Sequence, residues 1–168
     1  MEKVLITGAS SGIGEAFAKK LASEKANLII TARSKEKLNT LAESLEKTHS
    51  IQVHVYPMVL SQAGSAKTLY EEIKESGLSI DVMINNAGFG KNSRFLDTKM
   101  EFYKSMIMLN VNSLVELCYL CLPEMLQKNE GGIINVASTS AFLPFPFSSI
   151  YSSTKWFVMS FSEGLYGE

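Results

Sequence analysis

Five short apolar runs, near residues 3–7, 27–31, 51–55, 80–84 and 132–136, alternate with five longer segments of helical character near 12–24, 34–47, 62–76, 103–127 and 151–166. Such an alternation leaves few folds open. Each strand reaches its neighbour through a helix, which implies parallel pairing, and right-handed crossovers then wind the helices over both faces of one sheet. The expected fold is α/β, a doubly wound parallel sheet of five strands. Ligands bind such sheets beyond the carboxyl ends of the strands, where the strand order reverses. No internal repeat or low-complexity linker breaks the pattern, so residues 1–168 are expected to form a single domain.

The first strand and helix are joined by a glycine-rich turn. Val4-Leu5-Ile6-Thr7 reads as a buried strand, Gly8-Ala9-Ser10-Ser11-Gly12-Ile13-Gly14 follows, and Ile13, Phe17 and Leu21 then recur at helical spacing. Glycines let the backbone turn tightly and approach a diphosphate, whose charge meets the unpaired N–H groups and positive dipole of a helix N-terminus. A glycine turn can also be a mere connection, but the strand-turn-helix context favours a dinucleotide. The glycines at 8, 12 and 14 depart from the G-x-G-x-x-G spacing.

Further along, Ser138 is followed by Tyr151 and, four residues on, Lys155. At i and i+4 of a helix the last two share a face. A phenol is a poor proton donor near neutrality, and a cation a few ångströms away stabilises its phenolate. The pair is therefore suited to general acid-base chemistry. Y-x-x-x-K also arises by chance, as an aromatic stem beside a solvated lysine, so its weight comes from its companions.

Taken in order, Thr7 to Gly14, Asn85-Asn86-Ala87-Gly88, Asn110, Ser138, and Tyr151 with Lys155 resemble the short-chain dehydrogenase/reductase family, with its TGxxxGxG turn, NNAG element and Asn-Ser-Tyr-Lys tetrad. The resemblance runs from the first strand to the helix carrying Lys155. It implies a Rossmann-like, NAD(P)-binding domain and hydride transfer between a nicotinamide and a carbonyl or secondary alcohol. Tyr151 would protonate the developing alkoxide, Ser138 would hydrogen-bond that oxygen, Lys155 would bind the nicotinamide ribose, and Asn110 would anchor a relay water. Gly8, Ser10, Ser11, Gly12, Ile13, Gly14, Asn86, Ala87 and Gly88, together with Tyr151 and Lys155, would contact the cofactor. No metal is implied.

Cofactor choice turns on the end of the second strand, where NAD-binding folds offer an acid to the adenosine ribose. Here Ala32-Arg33 stands instead. A guanidinium can fork onto a 2′-phosphate, which favours NADP, with NAD as the alternative. Arg33 also reads as a solvated residue opening the next helix, and the second basic residue that many NADP-using relatives carry in the glycine turn is replaced by Ser11. Where the family commonly has an adenine-side aspartate, this chain has Val59, with Leu60 or a backbone carbonyl expected to share the role.

Sixteen basic residues against seventeen acidic ones leave a net charge of −1, and no basic stripe is interleaved with aromatics, so nucleic acid is not an expected partner. The Met1-Glu2-Lys3 start shows no signal-peptide pattern, which makes cytoplasmic residence the expectation. Cys118 and Cys121 form C-x-x-C within an apolar helical run and read as packing residues, since buried free cysteine behaves as a small hydrophobe.

The helix near 103–127 is apolar almost all round, which calls for a second burial surface. Together with the helix near 151–166 it is the surface through which the family commonly dimerises, so a homodimer is expected. No membrane span is expected, because Asn110, Asn112, Ser113 and Glu116 interrupt the run. Phe142-Leu143-Pro144-Phe145-Pro146-Phe147, between Ser138 and Tyr151, would wall an apolar carbonyl substrate or cover the domain's own core. Relatives continue beyond Glu168 through two more strands and a substrate-covering loop, so the chain is expected to lack the family's C-terminal part. Two function classes follow: an NADP-dependent oxidoreductase, or a catalytically silent nucleotide-binding or dimerisation module.

Overall fold

In the computed structural model, which describes residues 2–168, β1 (Lys3–Thr7), β2 (Asn27–Ala32), β3 (Val53–Pro57), β4 (Val82–Asn85) and β5 (Gly132–Asn135) form a parallel sheet in the order β3-β2-β1-β4-β5. Met1, where the expectation about a leader begins, lies outside the described residues. Alternation along each strand feeds two cores. Val4, Ile6, Leu28 and Ile30 pack against α1 (Gly12–Ser23) and α2 (Lys35–His49). Leu5, Ile29 and Met83 face the opposite way, onto α3 (Ser65–Glu75), α5 (Leu114–Lys128) and α6 (Ser149–Tyr166). Both faces of the inner strands β2, β1 and β4 are therefore covered, which is why these strands read as continuous apolar runs, whereas Ile134 on the edge strand β5 is left 47% exposed.

Several elements depart from the expected boundaries, each for a local reason. The third strand begins at Val53 and extends to Pro57, because Tyr56 and Pro57 pair with Thr31 and Ala32. The fourth begins at Val82, and α3 begins only after Gly64, which adopts a left-handed conformation at φ 79°. In α1 the fully buried positions are Gly14, Ala18 and Ala22, small residues that let the helix lie close to the sheet; of the expected run, Phe17 and Leu21 pack partly buried against the same core and Ile13 is left 60% exposed.

The helix expected near 103–127 runs from Met100 to Lys128 in three parts: α4 (Met100–Ile107), a π-helical segment (Met108–Ser113) and α5. Its 29 residues are long and apolar enough to cross a membrane by length and composition alone. One face of it packs against the sheet, with Met106, Leu114, Leu117, Cys118, Cys121 and Met125 buried in the domain. Ile107, Tyr119 and Leu126 remain exposed on the other face. Burial also raises the thiol pKa values, to about 11 for Cys118 and about 12 for Cys121, so both behave as apolar packing groups.

Candidate active site

The strand order reverses between β1 and β4, the two strands whose ends carry the glycine turn and the Asn85–Gly88 element. Thr7 ties them together: its buried hydroxyl accepts the N–H groups of Asn86 at 3.0 Å and Ala87 at 2.9 Å. Asn86 answers from the other side, its Nδ2 donating to the carbonyls of Thr7 at 3.0 Å and Gly8 at 3.3 Å. The glycine turn is thus fixed before any ligand arrives.

Two glycines are required by this geometry. Gly8 sits at φ 68°, and a Cβ there would lie 2.9 Å from both the Cα of Ala87 and Nδ2 of Asn86. A Cβ on Gly14 would press into the Gly8 carbonyl oxygen. Gly12 turns the chain at φ 58° with open space around it. Ser11 precedes α1 in extended conformation and makes no side-chain cap, so the first N–H groups of the helix carry no side-chain partner from it. A cradle of this kind fits an anionic diphosphate.

The cleft above the turn, about 330 Å³, is bordered by Gly8, Ser10, Ser11, Ile13, Arg33, Asn86, Ala87, Gly88, Tyr151 and Lys155. Ten of the expected cofactor contacts therefore converge on one space. Gly12 and Gly14 shape the turn from outside that border. Arg33 is exposed and has no carboxylate within ion-pair distance among the described residues, which leaves its guanidinium available at the cleft rim. Val59 is exposed and lies outside the cleft, whose corresponding wall is Met58, Leu60 and Ser61.

Tyr151 and Lys155 lie on one face of α6, with the Lys155 Nζ 6.0 Å from the tyrosine ring centroid. Lys155 is 5% exposed and donates to the Val136 carbonyl at 2.7 Å. Burial disfavours its charged form and holds its pKa below the ordinary lysine value. Ser138 opens the 3₁₀ turn Thr139–Ala141, and its Oγ accepts the Ser140 N–H at 3.1 Å, leaving the hydroxyl hydrogen free to donate.

Asn110 stands behind the cleft, 1% exposed, inside the π-helical segment. Its Oδ1 accepts from Phe89 N at 3.1 Å, and its Nδ2 donates to Phe89 O at 2.9 Å and Thr154 Oγ1 at 3.1 Å. Both amide hydrogens are therefore engaged with protein. Thr154 in turn donates to the Tyr151 carbonyl at 2.7 Å. Thr7 is legible in the sequence only as the first residue of the glycine-turn motif and Thr154 not at all; the bonds of Thr7 to Asn86 and Ala87, and of Thr154 to Asn110, cross long sequence separations that periodicity does not register.

The segment Phe142–Phe147 does not cover the core: Phe142, Leu143, Phe145 and Phe147 are all exposed. Phe145 and Phe147 border a surface depression with Asn92, Ser93, Thr139 and Ser140. Phe147 is held at φ 65°, and its carbonyl accepts the Ser93 N–H at 2.8 Å.

A family model described as short chain dehydrogenase matches residues 2–168. The chain is 35% identical over 170 residues to very-long-chain 3-oxoacyl-CoA reductase-A of Danio rerio, an alignment covering 98% of this chain and 52% of that protein. It is 37% identical over 170 residues to 17-beta-hydroxysteroid dehydrogenase type 3 of Homo sapiens, covering 98% and 53% respectively. The chain thus spans about half the length of the curated relatives it matches. A solved short-chain dehydrogenase from Sphingobium yanoikuyae in complex with NADPH has a TM-score of 0.92 at 33% identity, covering 98% of this chain and 64% of that one.

Proposed function

The chain belongs to the short chain dehydrogenase family, and on that premise we propose that it is an NADP(H)-dependent oxidoreductase interconverting a carbonyl and a secondary alcohol of an apolar substrate. The observation that carries this reading is the buried Lys155 beside Tyr151 in the cleft that also contains the glycine turn. NADP(H), when bound, supplies or accepts the hydride at its nicotinamide.

The protein's own part is binding and proton transfer. Gly8, Ser10, Ser11 and the first turn of α1 would hold the diphosphate, while Asn86, Ala87 and Gly88 border the cleft beside it. Arg33 would fork onto the 2′-phosphate, where NAD offers nothing comparable. Tyr151 gives its proton to the carbonyl oxygen in reduction and takes one from the alcohol in oxidation. Ser138 donates its free hydroxyl hydrogen to the same oxygen. Lys155 keeps positive charge beside the phenol and has N–H donors beyond the one given to Val136. Asn110 holds Phe89 and Thr154 in place, and the remaining lone pair of its Oδ1 would serve a relay water.

The exposed aromatic stretch Phe142–Phe147 supports an apolar substrate. So do the relatives, one named for very-long-chain 3-oxoacyl-CoA and another for a hydroxysteroid. Self-association through α5 and α6 is proposed on the exposed Tyr119 and Phe157, which border one surface groove; cytoplasmic residence is proposed alongside it.

The test is to mix purified protein and NADPH with a panel of steroid ketones, 3-oxoacyl thioesters and small polar ketones while following cofactor absorbance. Consumption with the apolar members is expected. Tight NADPH binding with no consumption on any member would overturn the reading.

A further inference from the structure

We propose that Gly90 is a positioning residue for Tyr151, an inference that rests on the reading of Tyr151 as the proton donor. Gly90 follows the Asn85–Gly88 element by two residues, is exposed, and borders the tyrosine rather than the cofactor cleft. A Cβ placed on it would lie 2.6 Å from Cδ2, 2.7 Å from Cγ and 3.1 Å from Cε2 of Tyr151. The backbone at Gly90 therefore rests directly on the ring, and no residue with a side chain fits there while the ring keeps its place.

Which side yields is decided by what holds each. The backbone is pinned one residue earlier, where Asn110 grips both the N–H and the carbonyl of Phe89. The Phe89 ring is also packed edge-on against Phe102, with centroids 5.2 Å apart. The Tyr151 backbone is pinned as well, its carbonyl receiving the Thr154 hydroxyl, which is itself bound to Asn110. What remains free is the torsion of the Tyr151 side chain. A methyl at position 90 would rotate the ring out of its seat, carrying the phenolic oxygen away from the reacting centre, with little effect on the glycine turn that holds the diphosphate.

The obvious variant is Gly90→Ala, with Gly164→Ala as control, since Gly164 is on the same helix as Tyr151 and its Cβ would meet nothing within 4 Å. Gly90→Ala is expected to lower kcat tenfold or more while the KM for NADPH stays within about threefold; Gly164→Ala should leave both unchanged. A second measurement is independent of turnover. Thermal melts of Gly90→Ala, Tyr151→Ala and the double variant form a cycle, and the melting temperature lost on Gly90→Ala should return when the ring is absent. If Gly90→Ala does not fold alone yet folds in the Tyr151→Ala background, the inference stands. An unaltered kcat in a folded Gly90→Ala protein, or the same loss of melting temperature with and without the Tyr151 ring, would overturn it. Because the cycle reads stability alone, a parent protein without reductase activity would remove the proposed function and leave the contact between Gly90 and Tyr151 to be judged by the melts.

Discussion

Lys155 reaches across from α6 to the Val136 carbonyl just past β5, a hydrogen bond of 2.7 Å made by an ammonium group with no carboxylate within ion-pair distance among the described residues. A buried cation held by one carbonyl is a cost to the fold that is explained by the site, not by stability.

That cost has a pH signature. The folded pKa of Lys155 is below its unfolded value of 10.5 because burial disfavours the charge. Between the two values the unfolded chain binds more protons, so stability rises with pH through that window. Lys155→Met should therefore abolish turnover yet melt higher than the parent near neutrality, and its advantage should shrink as the pH climbs toward 10.5. Each 1 kcal/mol relieved corresponds to roughly 2–4 °C in a domain of this size. Melting curves across pH decide it; a variant that melts lower than the parent at every pH would contradict the assignment.

Arg33→Ala should weaken NADPH binding by about 1.5–3 kcal/mol, as expected for a lost hydrogen bond to a charged group. Binding of NADH should scarcely change, since it has no 2′-phosphate to lose. Calorimetric titration of both cofactors measures this directly. An unchanged ratio of the two affinities would remove Arg33 from the cofactor site.

Cys118 and Cys121 should be silent toward a thiol-reactive dye at neutral pH in the native protein, because both are buried with pKa values near 11 and 12, and thiolate is the reactive form. Both should label fully in denaturant. Rapid labelling of either under native conditions would show that α5 leaves its seat on the sheet.

Much of this site can be read from residue order. The strand-helix alternation and the turn after Thr7 place the cleft, and the i, i+4 spacing brings Lys155 alongside Tyr151. Less legible are features set by close approach between distant segments. The apolar residues of α1 suggest a stripe through Ile13, but the helix lies so near the sheet that Gly14, Ala18 and Ala22 fill the contact and Ile13 is released to the cleft. The π-helical turn around Asn110 has no periodic signature, yet it holds the side chain that grips Phe89. Gly90 and Thr154 matter through contacts with Tyr151 and Asn110 that only the folded chain creates.

Deuterium placed at the transferable position of NADPH follows the hydride itself. Incubating the labelled cofactor with a steroid ketone or a 3-oxoacyl thioester and weighing the product by mass spectrometry should show one deuterium in the alcohol formed by the parent protein. Tyr151→Phe should bind the cofactor as tightly and form labelled product at least a hundredfold more slowly, the scale of a lost general acid. Alcohol formed without the label, or labelled product formed at the parent rate by Tyr151→Phe, would show that hydride transfer assisted by the Tyr151 phenol is not what this site performs.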